Sequence, residues 1–321
     1  MDKYLVTGGS GFIGTNLMEA LLKEGVDVIN VDAKEPLNKY HTKYFRRIDI
    51  RILSELKRCV EDFKPDYIIH LAARCDLNGK TIKDYDTNTV GVENIISVSK
   101  NCATLKKLLI TSSMLVCHPG YVPCDEQDYM PTTVYGESKI LTEKITRESN
   151  LQCDWAILRP TSIWGPWFDV PYKNFFEMIW KGHYIHIAGN KASMTYGYVK
   201  NVVVQILGIL HADTSVGAKV FYLGDYVPTS IEEWADEIAE EFGKRIIVVP
   251  RFVINCGALL GDFLKKIGVC FPLTTFRLKN MTTNSILNLT ETKKIVQELP
   301  FDRIQGVKET VKWMYGCTEE K

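Results

Sequence analysis

The run Val6-Thr7-Gly8-Gly9-Ser10-Gly11-Phe12-Ile13-Gly14 restricts what this chain can become more than any other stretch of it. It follows a short apolar segment, Tyr4–Thr7, that reads as a strand, and it opens a helical pattern. Its glycines let the backbone turn tightly and come close to a bound anion, which then rests on free N–H groups at the positive end of the helix. A strand that turns on glycine and re-enters as a helix begins a βαβ unit, and a dinucleotide pyrophosphate is the anion expected there, with a plain structural turn as the alternative, since other turns and P-loops use glycine too. The first half of the chain keeps the alternation. Val28–Val31, Tyr67–His70, Leu108–Thr111 and Ala156–Leu158 read as strands, with helical patterns over Thr87–Lys100 and Gly136–Glu148. This predicts an α/β fold with a doubly wound parallel sheet and ligands at the carboxyl ends of its strands.

After Pro160 the texture changes to an aromatic-rich segment, Trp164–Tyr198, followed by helical periods over Asn201–His211, Ile231–Phe242 and Ile304–Met314 and a strand-like run, Lys219–Leu223. Residues 1–165 plus 196–224 are read as the nucleotide-binding domain, with Tyr196–Leu223 returning to the sheet. Residues 166–195 plus 225–321 are read as a smaller, mostly C-terminal substrate-binding lobe. With 39 basic and 39 acidic residues the chain has no net field to draw it to nucleic acid or anionic lipid, so a small molecule is the expected partner. No apolar run is long enough to span a bilayer; Phe252–Leu264 is interrupted by Asn255, Gly257, Gly261 and Asp262. No secretory leader is evident at Met1, and the nine cysteines lack C-x-x-C spacing, as expected of free thiols in a cytoplasmic protein with no metal site.

Two further features carry chemistry. Asp32 ends the second strand, where a carboxylate can accept hydrogen bonds from both adenosine ribose hydroxyls and repel a 2′-phosphate, which selects NAD over NADP; a turn or helix-capping aspartate is the structural alternative. Tyr135 and Lys139 stand at i and i+4, on one face of a helix, where the ammonium can stabilise a phenolate and lower the phenol pKa for proton transfer.

Together these runs resemble the extended branch of the short-chain dehydrogenase/reductase superfamily, the NAD-dependent nucleotide-sugar epimerases and dehydratases. TGGSGFIG has its G-x-x-G-x-x-G spacing, and Tyr135-Gly136-Glu137-Ser138-Lys139 has its Y-x-x-x-K. The resemblance covers nearly the whole chain, closely to about Pro166 and loosely after Leu223. It implies a Rossmann-type sheet and NAD held by Gly8, Gly11, Phe12, Ile13, Gly14, Asp32, Asp49, Ile50, Leu71, Ala72, Ala73, Asn88, Thr111, Tyr135, Lys139, Pro160 and Ser162. Asp49 corresponds to the acid that meets the adenine amino group. His70-Leu71-Ala72-Ala73 corresponds to a strand end whose small side chains leave room for the cofactor; His70 itself reads as a core histidine. Asn88, Gly91 and Asn94 match N-x-x-G-x-x-N and are expected to hold adjacent backbone.

The resemblance also implies that Ser113 joins Tyr135 and Lys139 as the hydroxyl that contacts the reacting oxygen. Met114 and Leu115 replace the acid, base or thiol that dehydratases, decarboxylases and multi-centre epimerases carry, which leaves alcohol-to-ketone chemistry at one carbon. Cys117 and His118 replace the usual Tyr-Gly. Arg159–Pro166 resembles R-P-x-N-V-Y-G-P, with Ser162 for the usual Asn. For the substrate, Ser113, Ser162, Lys173, Asn174 and Arg277 are the candidates, and Met194 stands where an arginine commonly grips a diphosphate. Trp167, Phe168, Tyr172, Phe175, Phe176 and Trp180 read either as core or as a wall for a base or sugar.

The leading expectation is an NAD-dependent nucleotide-sugar epimerase acting through a keto-sugar, at C4, with a homodimer formed through the helices bearing Asn88–Asn94 and Tyr135–Glu148. The alternatives are a dehydrogenase or keto-reductase on a similar nucleotide-diphosphate sugar, an enzyme like the 3β-hydroxysteroid dehydrogenases suggested by Phe271–Arg277, and a non-catalytic NAD-sensing protein.

Overall fold

A computed structural model describes residues 1–214, 219–266, 275, 278–279 and 282–319. The strands are β1 (Lys3–Thr7), β2 (Asp27–Asp32), β3 (Phe45–Arg47), β4 (Tyr67–His70), β5 (Lys107–Thr111), β6 (Asp154–Pro160), β7 (Ser162–Trp164), β8 (Ile185–Ile187), β9 (Ser193–Met194), β10 (Tyr196–Tyr198), β11 (Val220–Leu223), β12 (Thr229–Ser230) and β13 (Ile247–Val249). The helices are α1 (Phe12–Lys23), α2 (Leu53–Phe63), α3 (Asp86–Lys100), α4 (Val134–Arg147), α5 (Tyr172–Trp180), α6 (Val199–His211), α7 (Ile231–Glu241), α8 (Arg251–Lys266), α9 (Thr290–Ile295) and α10 (Arg303–Glu319).

Seven strands form one sheet in the order β11-β6-β5-β4-β1-β2-β3, and every neighbouring pair is parallel. Parallel strands need crossovers, and apolar residues on both faces of each strand receive them. Leu5, Ile68, Leu108 and Ile110 pack with Leu56 and Val60 of α2 and Val92, Ile95 and Ile96 of α3. Their strand neighbours Val6, Ile69 and Leu109 turn the other way, onto Leu17, Met18 and Leu21 of α1 and Val202 and Ile206 of α6. This is a Rossmann-type doubly wound sheet. The chain order reverses between β1 and β4, and there the carboxyl ends of the strands open a crevice.

Of the run expected to return to the sheet, β11 alone joins it, beside β6. Tyr196–Tyr198 instead pairs with Ser162–Trp164 in a two-stranded sheet, because the chain has by then turned away over the strand ends. Beyond them lie two small pairs, β8 with β13 and β9 with β12, and helices α5, α7, α8 and α10. The apolar cluster of the α1 side runs on without interruption into this region. It takes in Trp164, Phe168, Phe176, Tyr198, Trp234 and Val307. Phe168 and Phe176 are thus core residues and Phe175 packs, partly buried, against them, with Phe175 and Phe176 5.0 and 5.8 Å from the ring of Trp234. Trp180 lies at the surface. Among the described residues no helix is long and apolar enough to cross a membrane.

Candidate active site

The glycine turn sits at the mouth of the crevice. Gly8 has φ +74°, and a Cβ there would come within 2.5 Å of the Ala72 nitrogen, so β1 and β4 can approach only through glycine. At Gly14 a Cβ would stand 2.1 Å from the Gly8 carbonyl oxygen; helix α1 leaves the turn at a distance no side chain permits. Gly11 is the N-cap and no side chain caps the helix, so the N–H groups of its first turn, from Phe12 and Ile13 onward, face outward for a ligand. Asn30 braces the turn by donating to Ser10 Oγ at 3.0 Å.

Asp32 lies at the end of β2 beside this turn. Its carboxylate accepts the Ser10 N–H at 3.2 Å and the Lys34 N–H at 2.9 Å, and burial raises its pKa against those bonds. Asp49 is bound by its own turn: Arg51 donates from Nη2 at 2.6 Å and from Nε at 3.0 Å, lowering the Asp49 pKa, and also reaches Asp86. Ile50 is held through its carbonyl by Asn94 Nδ2 at 2.9 Å, and a Cβ at Gly91 would meet the Ile50 side chain.

At the end of β4, His70 is buried and shares a 2.7 Å hydrogen bond with Thr7 Oγ1. Burial, with Lys139 nearby, pulls its pKa down to about 3, so the ring is neutral and joins the two central strands. Leu71, Ala72 and Ala73 follow at the crevice, where Leu71 N–H donates to the Thr7 carbonyl at 3.0 Å. The Asn88 amide is spent on backbone and on a neighbouring helix. It accepts the Arg74 N–H at 2.8 Å and donates to the Arg74 carbonyl and to Ser138 Oγ, fixing the β4–α3 loop against α4.

Ser113, Tyr135 and Lys139 converge just past β5. Thr133 caps α4 by accepting the Gly136 N–H at 3.0 Å, which starts the helix one residue before Tyr135 and turns Tyr135 and Lys139 inward together. Ser113 and Cys75 are polar neighbours of the Tyr135 hydroxyl. Burial, then the Cys75 thiol, push the phenol well above its ordinary value, while Ser113 opposes the shift. Lys139 Nζ donates to the Thr111 carbonyl at 2.8 Å, and burial lowers its pKa to about 8. The phenol is therefore held as a neutral hydroxyl by its surroundings, rather than depressed by Lys139 as the i, i+4 spacing alone suggests. Behind Lys139, Glu143 is fully buried and takes Arg159 Nε and Nη2 at 2.8 Å each, together with Ser112 Oγ at 2.6 Å and the Tyr129 hydroxyl at 2.9 Å.

The substrate candidates are more scattered. Ser162 is buried against Met114 and Tyr172, and Pro160 ends β6 next to it. Lys173 and Asn174 lie in the first turn of α5, half-buried and exposed, and neither side chain has a polar partner among the described residues. Arg277 and Phe271–Thr274 lie outside the described residues. Two participants were absent from the sequence expectations. Glu143 stands four residues past Lys139 on the same helix face, so its spacing could have shown it. Cys75 reaches Tyr135 from a loop distant in sequence, and no spacing rule announces it.

The profile of the NAD-dependent epimerase/dehydratase family matches residues 4–224, well over half of the chain. The chain belongs to this family. Like other members of the NAD-dependent epimerase/dehydratase family it is an enzyme, and NAD is its cofactor. The described turn fits that group: the glycines leave no side chain between pyrophosphate and helix, and the Asp32 carboxylate touches the turn through the Ser10 N–H. Among relatives, a 3β-hydroxysteroid dehydrogenase/Δ5→4-isomerase of Mycobacterium tuberculosis is 28% identical over 267 residues, 76% of this chain and 70% of that one. The N-acetyl-α-D-glucosaminyl-diphospho-ditrans,octacis-undecaprenol 4-epimerase of Escherichia coli O157:H7 is 23% identical over 98% of this chain and 96% of that one. The fold is shared with the UDP-glucose 4-epimerase of Thermotoga maritima, with a TM-score of 0.76 at 23% identity over 98% and 99% of the two chains.

Proposed function

We propose that this family member is a nucleotide-sugar epimerase that passes through a transient ketone at a single sugar carbon, C4, with Tyr135, Lys139 and Ser113 as its catalytic residues. The observation that carries the reading is that Ser113 neighbours the Tyr135 hydroxyl while Lys139, one turn further along α4, is buried and reaches the Thr111 carbonyl at the end of β5. NAD, held by the Gly8–Gly14 turn and Asp32, would supply reversible hydride exchange at an alcohol carbon. Tyr135 moves the hydroxyl proton, Ser113 orients the reacting oxygen, and Lys139 supplies positive charge close to the phenol. Met114 and Leu115 beside Ser113 add no acid or base that would direct the ketone to dehydration or decarboxylation. Asp32 supports NAD over NADP. Lys173 and Asn174 of α5, whose side chains have no polar partner among the described residues, are assigned to the diphosphate of the substrate. A homodimer through α3 and α4, in the cytoplasm, completes the proposal.

Oxidation of a hydroxysteroid is the second reading, and Met194 favours it. Where a diphosphate-gripping arginine is expected, the chain places this thioether, which accepts a hydrogen bond from the Tyr196 hydroxyl at 3.5 Å. The Mycobacterium tuberculosis relative carries that activity in its name.

One experiment separates the readings. The purified protein is incubated with UDP-, GDP-, dTDP- and CDP-sugars without added cofactor, and with a 3β-hydroxysteroid plus NAD. Epimer interconversion without net change in NADH absorbance is expected; net NADH formation on a sugar or steroid would replace epimerisation by dehydrogenation. Tyr135→Phe is expected to slow turnover by about 10²- to 10⁴-fold, and full turnover in that variant would overturn the assignment of the phenol.

A further inference from the structure

Helix α8 is apolar on the side that faces away from the protein. Phe252, Val253, Cys256, Leu259, Leu260 and Phe263 fall within an arc of roughly 120° at about 100° per residue, and all are exposed, Phe252 at 69%, Leu259 at 64% and Phe263 at 60%. The opposite face holds the helix to the molecule through Ile254 and Ala258, in a small cluster with Ile187 and Leu278 that is separate from the main core. The residues just before the helix continue the pattern: Ile247 and Val248 of β13 are exposed at 66% and 64%. A contiguous outward apolar stripe on a folded chain marks a surface made to leave water.

The charge around the stripe says what covers it. Residues 243–261 contain Lys244, Arg245 and Arg251 and no acidic residue, in a chain whose overall charge is zero. Lys244, Arg245 and Arg251 are exposed and make no ion pair among the described residues. A second copy of this chain is a poor match, because a two-fold contact would bring the same positive segment to both sides. An anionic lipid surface matches both features. A helix lying in the plane of the headgroups buries an apolar face in the acyl boundary while lysine and arginine remain with the phosphates.

We propose that the outward face of α8, with β13 beside it, seats the substrate lobe on an anionic bilayer surface. The contact is peripheral and differs in kind from spanning. It is independent of which substrate the site takes.

The test is flotation of the full chain with vesicles of phosphatidylcholine alone and of phosphatidylcholine mixed with phosphatidylglycerol, at low and high salt. Binding to the mixed vesicles that weakens with salt is expected. Lys244→Gln and Arg245→Gln should each lower the partition coefficient roughly fivefold, and the pair Leu259→Gln/Leu260→Gln should abolish flotation. Unchanged thermal midpoints verify that the variants fold, and the charge variants disturb no packing. Failure to float with anionic vesicles, or flotation indifferent to both sets of changes, would overturn the proposal. So would a particle mass in light scattering that halves in Leu259→Gln/Leu260→Gln, since that result assigns the face to a second copy.

Discussion

Lys139 keeps its ammonium where there is little water, and its folded pKa of about 8 lies below its ordinary 10.5. Between those values the unfolded chain binds more protons than the folded one, so stability rises with pH across that window. Below about pH 8 the buried charge opposes folding by on the order of 3 kcal/mol. Lys139→Met should therefore raise the thermal midpoint at pH 7, with the advantage over the wild type shrinking as pH climbs from 8 towards 10.5; melting both proteins through that range checks it. Activity in the variant should fall even as the fold gains. Asp32 makes a different kind of demand at the same scale. Its partly buried carboxylate would face the 2′-phosphate of NADP, so Asp32→Ala should shift the ratio of NADP to NAD affinity by about tenfold, equivalent to ~1.4 kcal/mol. Titration with both dinucleotides measures the change.

At the scale of elements, the β1 turn and α1 act as one unit. Gly14→Ala puts a methyl 2.1 Å from the Gly8 oxygen, so α1 must slide from the turn. The expected result is at least a tenfold loss of NAD affinity with about 1–3 kcal/mol of stability, read by titration and denaturant unfolding. Much of this unit is legible in the residues, because glycine spacing, strand length and helix period describe one local geometry. β4 is read at its observed bounds, Tyr67–His70, since a short β-branched run between Pro65 and small residues leaves little choice. Leu53, Leu56, Val60 and Phe63 of α2 stand at helical spacing too, a signal the chain carries but the expectations above do not include. β7 and β10 are three residues each, too short for any period to show, and their pairing depends on chain that returns from far away. The aromatic segment was ambiguous for another reason. Phe176 as core and Phe176 as pocket wall demand the same side chain, and only its packing on Trp234 separates the two. Cys75 met Tyr135 through the placement of a loop, which no spacing encodes.

Across the whole molecule, the Glu143–Arg159 pair ties α4 to β6, and Arg159 goes on to the Tyr222 hydroxyl of β11 and the Glu126 carbonyl. Removing one partner leaves the other charged and buried, so Glu143→Ala should cost about 3–5 kcal/mol. Glu143→Ala combined with Arg159→Met should recover part of the loss, as denaturant midpoints will show. That same neighbourhood holds a consequence for how the protein is made. β11 pairs with β6, yet roughly sixty residues separate them, and within that interval β6 is an edge of open N–H and C=O groups. At ordinary rates of translation the ribosome takes roughly 3 to 12 seconds to deliver the strand that closes it. During those seconds the growing chain carries an open strand to which any other strand in the cell can add.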